Sequence, residues 1–184
     1  MPIDPRELRR CLGHFTTGVT VITCAGTGAG AAPHGATVNA FTAVSLEPPL
    51  VLVSLDRRSR LCSLVADRPF TVNVLEAAQK DLALHFAGRP NQDVRWAAES
   101  SCGSPQLAGA LAHVACTPWQ HYDGGDHVLY LGEVQEFRIH DGDPLLFHTG
   151  KFHRLGGDQN PLLWDDSADG PGGMAWFTQA LTAP

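Results

Sequence analysis

Three arginines, Arg57, Arg58 and Arg60, crowd around Ser59 directly after the apolar run Leu50-Val51-Leu52-Val53-Ser54-Leu55. A hydroxyl that caps a helix N-terminus, with guanidinium groups beside it, suits an anion, because unsatisfied amides and the helix dipole both favour negative charge. The same residues also describe a solvated basic turn with an ordinary N-cap, and their local pattern leaves both open. Upstream, Gly35-Ala-Thr-Val-Asn-Ala-Phe-Thr-Ala-Val-Ser-Leu-Glu-Pro-Pro-Leu50 reads as a strand, a polar turn region and the start of a second strand locked by Pro48-Pro49. It presents small side chains and backbone amides beside a β-core, a surface suited to a flat cofactor rich in polar groups.

Other chemistries find less support. Gly26-Thr-Gly28-Ala-Gly30 follows a strand and loosely matches a dinucleotide fingerprint, but Pro33 and Gly35 arrive before a helix completes two turns. We read it as a glycine-rich hairpin loop joining strands at 19–24 and 34–41. Nine histidines invite a metal. The spacing of His148 and His153, and of His121 and His127, fits neither a helical i, i+4 pair nor a zinc run, so no metal is expected. Ser45 and Ser59 lack a nucleophile-elbow context, which leaves a hydrolase unsupported. Cys11, Cys24, Cys62, Cys102 and Cys116 are odd in number and scattered, as reduced packing residues would be.

The elements that must position these residues are mostly strands. Asp4 caps a first helix, with Pro5 at its first position and Glu7 placed for a capping box. Leu8, Leu12 and Phe15 give that helix an apolar face, and Gly18 ends it. Strands are predicted at 19–24, 34–41, 50–55, 70–75, 107–120, 126–139 and 144–148. Ser59 caps a short helix through Val65, and Leu82 and Phe86 lie at helical spacing on another. Such a series argues for an antiparallel barrel over alternating βαβ units. A chain of 184 residues with 43% hydrophobic and 17% charged content is one globular domain, read as residues 1–155 with a Gly-, Asp- and Pro-rich extension at 156–184. Within the extension, Met174 to Leu181 reads as a short amphipathic helix that docks on its own dimer or recognises a partner enzyme. A formal charge of −6 without a basic stripe gives no footprint for nucleic acid. The charged N-terminus and the absence of a long apolar run predict a cytoplasmic protein without membrane insertion.

Several separated motifs in the first 155 residues resemble the flavin reductase domain family. They are Leu12-Gly-His-Phe-Thr-Thr-Gly-Val-Thr-Val-Ile-Thr23, the stretch from Gly35 to Leu50, Arg57-Arg58-Ser59-Arg60, Phe70-Thr-Val-Asn-Val-Leu75, His85-Phe-Ala-Gly-Arg89, Gly125-Asp126-His127 and Pro144-Leu-Leu-Phe-His-Thr-Gly-Lys-Phe152. The resemblance implies a mainly β fold, the FMN-binding split β-barrel with a few short flanking helices, as a homodimer. It implies that Thr37, Val38, Asn39, Ala40, Phe41, Ala43 and Val44 flank the flavin. Arg58, Ser59 and Arg60 would form a phosphate-binding turn, and Phe86, Ala87, Gly88 and Arg89 a second cofactor loop. His127 and the turn Gly150-Lys151-Phe152 would contact NADH, Phe152 standing where relatives commonly carry tyrosine.

The activity so implied is hydride transfer from NADH, or less readily NADPH, to FAD or FMN. Reduced flavin would pass to a separate flavin-dependent monooxygenase in aromatic catabolism or secondary metabolism. Two other readings are a split barrel that binds flavin or haem without turnover and a terminal flavin oxidase.

Overall fold

A computed structural model describes residues 3–28, 30–90 and 93–156. In chain order the elements are α1 (Pro5–Leu12), β1 (Thr17–Gly18), β2 (Thr20–Cys24), β3 (His34–Val38), β4 (Phe41–Leu46), β5 (Pro49–Asp56), α2 (Arg60–Leu64), β6 (Phe70–Val74), a 3-10 turn (Ala77–Gln79), α3 (Lys80–Phe86), β7 (Ala112–Gly124), β8 (His127–Ile139), β9 (Leu145–His148) and β10 (Lys151–Arg154). Seven strands form one antiparallel sheet in the order β3-β2-β6-β7-β8-β5-β4, and β1-β9-β10 form a second. The two outermost strands of the large sheet, β3 and β4, follow one another in the chain with only Asn39 and Ala40 between them. The sheet must therefore curl until its edges meet at that joint, where the Ser54 amide donates to the Ala40 carbonyl at 3.0 Å. This is the split barrel expected from the resemblance.

Strand β2 is buried along its whole length, and its alternate side chains serve two cores. Ile22 and Cys24 face the inside of the curl with Val51, Val53, Leu55, Phe70, Val72, Val128 and Tyr130, joined by Leu61, Cys62 and Leu64 of α2. Val21 faces the other way, with Val19, Leu75, Leu82, Ala83, Leu107 and Leu145. Each such side chain contributes roughly 1.5–3 kcal/mol by leaving water. The outer core also holds a polar network. Asn73 donates to the Val21 carbonyl at 2.8 Å and accepts from the Leu107 amide at 2.8 Å, tying the irregular 94–111 segment to the sheet.

Several predicted boundaries move. The Asp4 carboxylate does cap α1 through the Arg6 amide, but Glu7 makes no capping box and lies 3.8 Å from Arg10 instead. The helix ends at Leu12 with Gly13 as cap, not at Gly18, and Leu8, Leu12 and Phe15 are exposed. The predicted strand at 34–41 breaks after Val38, because the chain must leave one edge of the sheet and start the other. The strand predicted at 107–120 begins at Ala112 and runs to Gly124, since the Leu107 amide is taken by Asn73 and the Leu111 amide bonds the Val74 carbonyl. The loop around Gly28 and Gly30, whose φ values are +98° and +73°, joins β2 to β3 as a hairpin. The expected helix at Met174 to Leu181 lies outside the described residues.

His113 is 3% exposed, its Nε2 bonded to the Leu107 carbonyl at 2.7 Å and its Nδ1 without a partner. Burial holds this imidazole below its ordinary range, and burial followed by the nearby Arg60 charge does the same for His34. The folded state then binds fewer protons than the unfolded chain. Their contribution to stability is complete above the unfolded histidine value of about 6.5 and is lost as pH falls below it toward the folded values. Denaturant midpoints should therefore be lower at about pH 5.5 than at about pH 7.5, with His113→Gln narrowing the difference. An equal pH dependence in that variant would mean that the buried histidine is not its source.

Candidate functional site

The Asn39–Ala40 joint is flanked by the two free edges of the large sheet. Strand β3 pairs only with β2, and β4 only with β5, so alternate N–H and C=O groups on each face away from the ladder. Asn39 and Ala40 are exposed, while Phe41 is half-buried against the inner core. In β4 the register shifts between Ala43 and Ser45, a bulge at the exposed Val44. The Thr37 hydroxyl does not face the joint as a free donor. It bonds the Ala83 carbonyl of α3 at 2.7 Å.

That bond and one glycine bring a second loop to β3. A Cβ on Gly35 would lie 2.8 Å from ring atoms of Phe86, so the bare backbone lets the Phe86 ring lie directly on the strand. Beyond Phe86, Ala87 ends α3 and Gly88 takes φ +85°. The Arg89 amide returns to the Leu84 carbonyl at 3.1 Å, a Schellman closure that needs a residue without a Cβ at Gly88.

On the other side, antiparallel register sets Ser54 opposite Leu129 and Asp56 opposite His127. The turn leaving β5 therefore lies beside the β7–β8 hairpin and near the joint. Ser59 caps α2 by accepting from the Cys62 amide at 3.1 Å. Arg57 reaches across to Asp123 at 2.7 Å and the Gly125 carbonyl at 2.6 Å. Arg58 forks onto Asp56, at 3.0 and 2.7 Å, and these bonds hold the Asp56 carboxyl far below the usual carboxylate range. His127 Nδ1 lies 2.7 Å from Asp126. Arg60 forms no ion pair among the described residues, and its charge is felt at His34 on β3.

Gly150, Lys151 and Phe152 occupy a different element. Thr149 and Gly150, with φ of 45° and 80°, make the two-residue turn between β9 and β10. Phe152 packs on Phe147 at 5.4 Å and joins the outer core with Phe86. The joint, the Arg57–Arg60 turn and His127 are thus gathered by the large sheet, the Phe86–Arg89 loop by α3, and the Gly150 turn by the small sheet. The prediction missed Asp56 as the partner of Arg58, although residues two apart on an extended chain share a side. The Arg57–Asp123 pair had no local signal.

The chain belongs to the flavin reductase like domain family, whose model matches residues 12–156. An NADH-dependent flavin reductase of Rhodococcus sp. is 40% identical over 154 residues, covering 83% of this chain and 88% of the relative. The reductase subunit of a flavin-dependent monooxygenase from Rhodococcus jostii is 39% identical over 173 residues, covering 91% and 87%. The NADH:FAD oxidoreductase of Streptomyces globisporus, solved with NAD and FAD fragments, superposes with a TM-score of 0.77 at 39% identity, covering 87% of this chain and 99% of that one.

If the bare backbone at Gly35 is what seats Phe86, Gly35→Ala must displace the ring. The expected cost is about 1–3 kcal/mol of stability, together with a several-fold loss of flavin affinity read by fluorescence quenching. A variant matching the wild type in both would remove this contact from the site.

Proposed function

We propose that the protein is an NADH-dependent flavin reductase that supplies reduced FAD or FMN to a separate monooxygenase. The observation that carries this reading is the seam at Asn39–Ala40. Two unpaired strand edges meet there, and their backbone donors and acceptors match the alternating polar edge of an isoalloxazine without adding charge. The curated relatives named as NADH-dependent reductases and as a monooxygenase reductase subunit support it.

In this reading Asn39, Ala40 and Phe41 offer backbone groups to the ring, with Thr37 and Val38 before them and Ala43 and Val44 behind. Thr37 acts by fixing α3 against β3. Among the three arginines of the turn, Arg57 and Arg58 are committed to Asp123 and Asp56, which leaves Arg60, with the Ser59 cap, to meet the flavin phosphate. Arg89 is placed for the dinucleotide part of FAD. His127, oriented by Asp126, positions the nicotinamide, and Lys151 and Phe152 belong to the NADH side. When bound, the flavin accepts at N5 the hydride that NADH carries at C4. The chain's part is to hold the two rings in register and exclude water, so no acid–base pair is required.

A second copy of the chain fits the exposed apolar side chains Val44, Leu46, Phe137 and Ile139, which are 45–75% exposed. A homodimer on gel filtration is the expected outcome, and a flavin-binding monomer would overturn it.

Loss of NADH absorbance with FAD, FMN or riboflavin added in turn tests the activity, with NADPH oxidised more slowly. No turnover with any of them would sink the reading. His127→Ala should raise KM for NADH about twofold to tenfold, the worth of one hydrogen bond. Arg60→Ala should weaken flavin binding more than Arg58→Ala does. The reverse order would give the phosphate to Arg58.

A further inference from the structure

Helix α1 buries none of its residues, so the core does not explain why it is held where it is. What holds it is the β9–β10 turn, whose Thr149 amide donates to the Gly13 carbonyl at 2.8 Å. Arg6, Arg9 and Arg10 stand at i, i+3 and i+4 and share one face of the helix. With Gly13, Thr149 and Gly150 they line a groove of about 320 Å³. Arg9 and Arg10, in the last turn, complement the helix dipole, but Arg6 is in the first turn, where a cation is disfavoured. Among the described residues Arg6 and Arg9 form no ion pair, and Arg10 has only Glu7 at 3.8 Å, both side chains more than 70% exposed. Such a contact is worth little. A chain of formal charge −6 thus sets three guanidinium groups, with Lys151 following, around one turn. Open space where a Gly150 Cβ would project keeps the floor of the groove bare.

We propose that this groove holds the diphosphate of the nicotinamide dinucleotide, with α1 supplying guanidinium forks and the Thr149–Gly150 turn a floor without a side chain. The inference rests on the reductase reading and deepens it. Planar guanidinium groups recognise phosphate oxygens in pairs, and three of them match a diphosphate better than a single carboxylate. The groove adjoins Lys151 and Phe152, already assigned to the nicotinamide side, so the diphosphate would sit one turn away from the ring it carries.

The test uses full-length protein and ADP-ribose, which keeps the diphosphate and cannot transfer hydride. Calorimetry should show binding to the wild type that weakens at least about tenfold in the variant Arg6→Gln/Arg9→Gln/Arg10→Gln. KM for NADH should rise by a similar factor, while the Kd for FAD stays unchanged and reports an intact fold. The Arg→Lys triple variant should recover part of the affinity. Raising NaCl from about 0.05 to about 0.3 M should weaken ADP-ribose binding in the wild type and scarcely at all in the glutamine variant. Equal ADP-ribose affinity in variant and wild type would overturn the inference, and if the wild type still oxidises NADH the reductase reading would stand. A rise in the FAD Kd with no change for ADP-ribose would assign the groove to the flavin's phosphates and likewise overturn it. Should the wild type oxidise no NADH with any flavin, the reductase reading falls, and loss of ADP-ribose binding in the variant would still uphold the diphosphate groove.

Discussion

Two strands that are neighbours in the chain are the opposite edges of the same sheet, and the two residues between them hold those edges together. With β3 and β4 separated only by Asn39 and Ala40, the sheet between them has to curl. Curling brings the inner side chains close enough that some positions tolerate no Cβ. One on Gly132 would lie 2.5 Å from the Phe70 ring and 2.8 Å from the Cys116 Cβ. The curl also leaves a seam that no ladder closes. Exposed edges usually invite pairing with other chains. Here they flank a two-residue joint whose geometry both halves of the sheet dictate, which turns unpaired backbone groups into a directed surface.

The charges around that seam are mostly spent on holding loops. Arg57 fastens the turn after β5 to the β7–β8 hairpin, Arg58 folds back on Asp56, and Asp126 orients His127. Exposed pairs of this kind contribute about 0–1 kcal/mol each, so their consequence lies in position more than in stability. They decide which cation remains available to a ligand. Three adjacent arginines look equivalent in the chain, yet pairing leaves Arg60 apart from the other two.

Much of this was legible in the sequence. The β-branched run at 19–24, the Ser59 cap, the spacing of Leu82 and Phe86 and the glycine hairpin all express local preferences that the fold keeps. What the sequence concealed depends on distant partners. The break after Val38 reflects sheet closure and not a poor strand former. The late start of β7 reflects Asn73, which captures the Leu107 amide from across the core. The apolar face read on α1 finds no core to meet, and its arginine face acquires meaning only from a turn far along the chain. Among the candidate residues, local pattern pointed to the backbone around 39–41 and to the 57–60 turn, but neither the commitment of Thr37 to α3 nor that of Arg58 to Asp56.

Thr37 shows why such commitments matter to hydride transfer. A hydroxyl aimed at a cofactor would add one hydrogen bond to affinity, roughly 0.5–1.5 kcal/mol. Aimed at the Ala83 carbonyl, it instead fixes α3 to the edge strand, and with Gly35 it sets where Phe86 and the Gly88–Arg89 turn lie relative to the seam. Hydride transfer draws its rate from the alignment of two rings more than from any proton moved by the protein. A residue that holds two cofactor-facing elements at one spacing therefore does more for that reaction than one further contact would. The absence of an acid–base dyad around the seam follows from the same reasoning, because rigid backbone meets the chemical requirement and a titrating group would add only a dependence on pH.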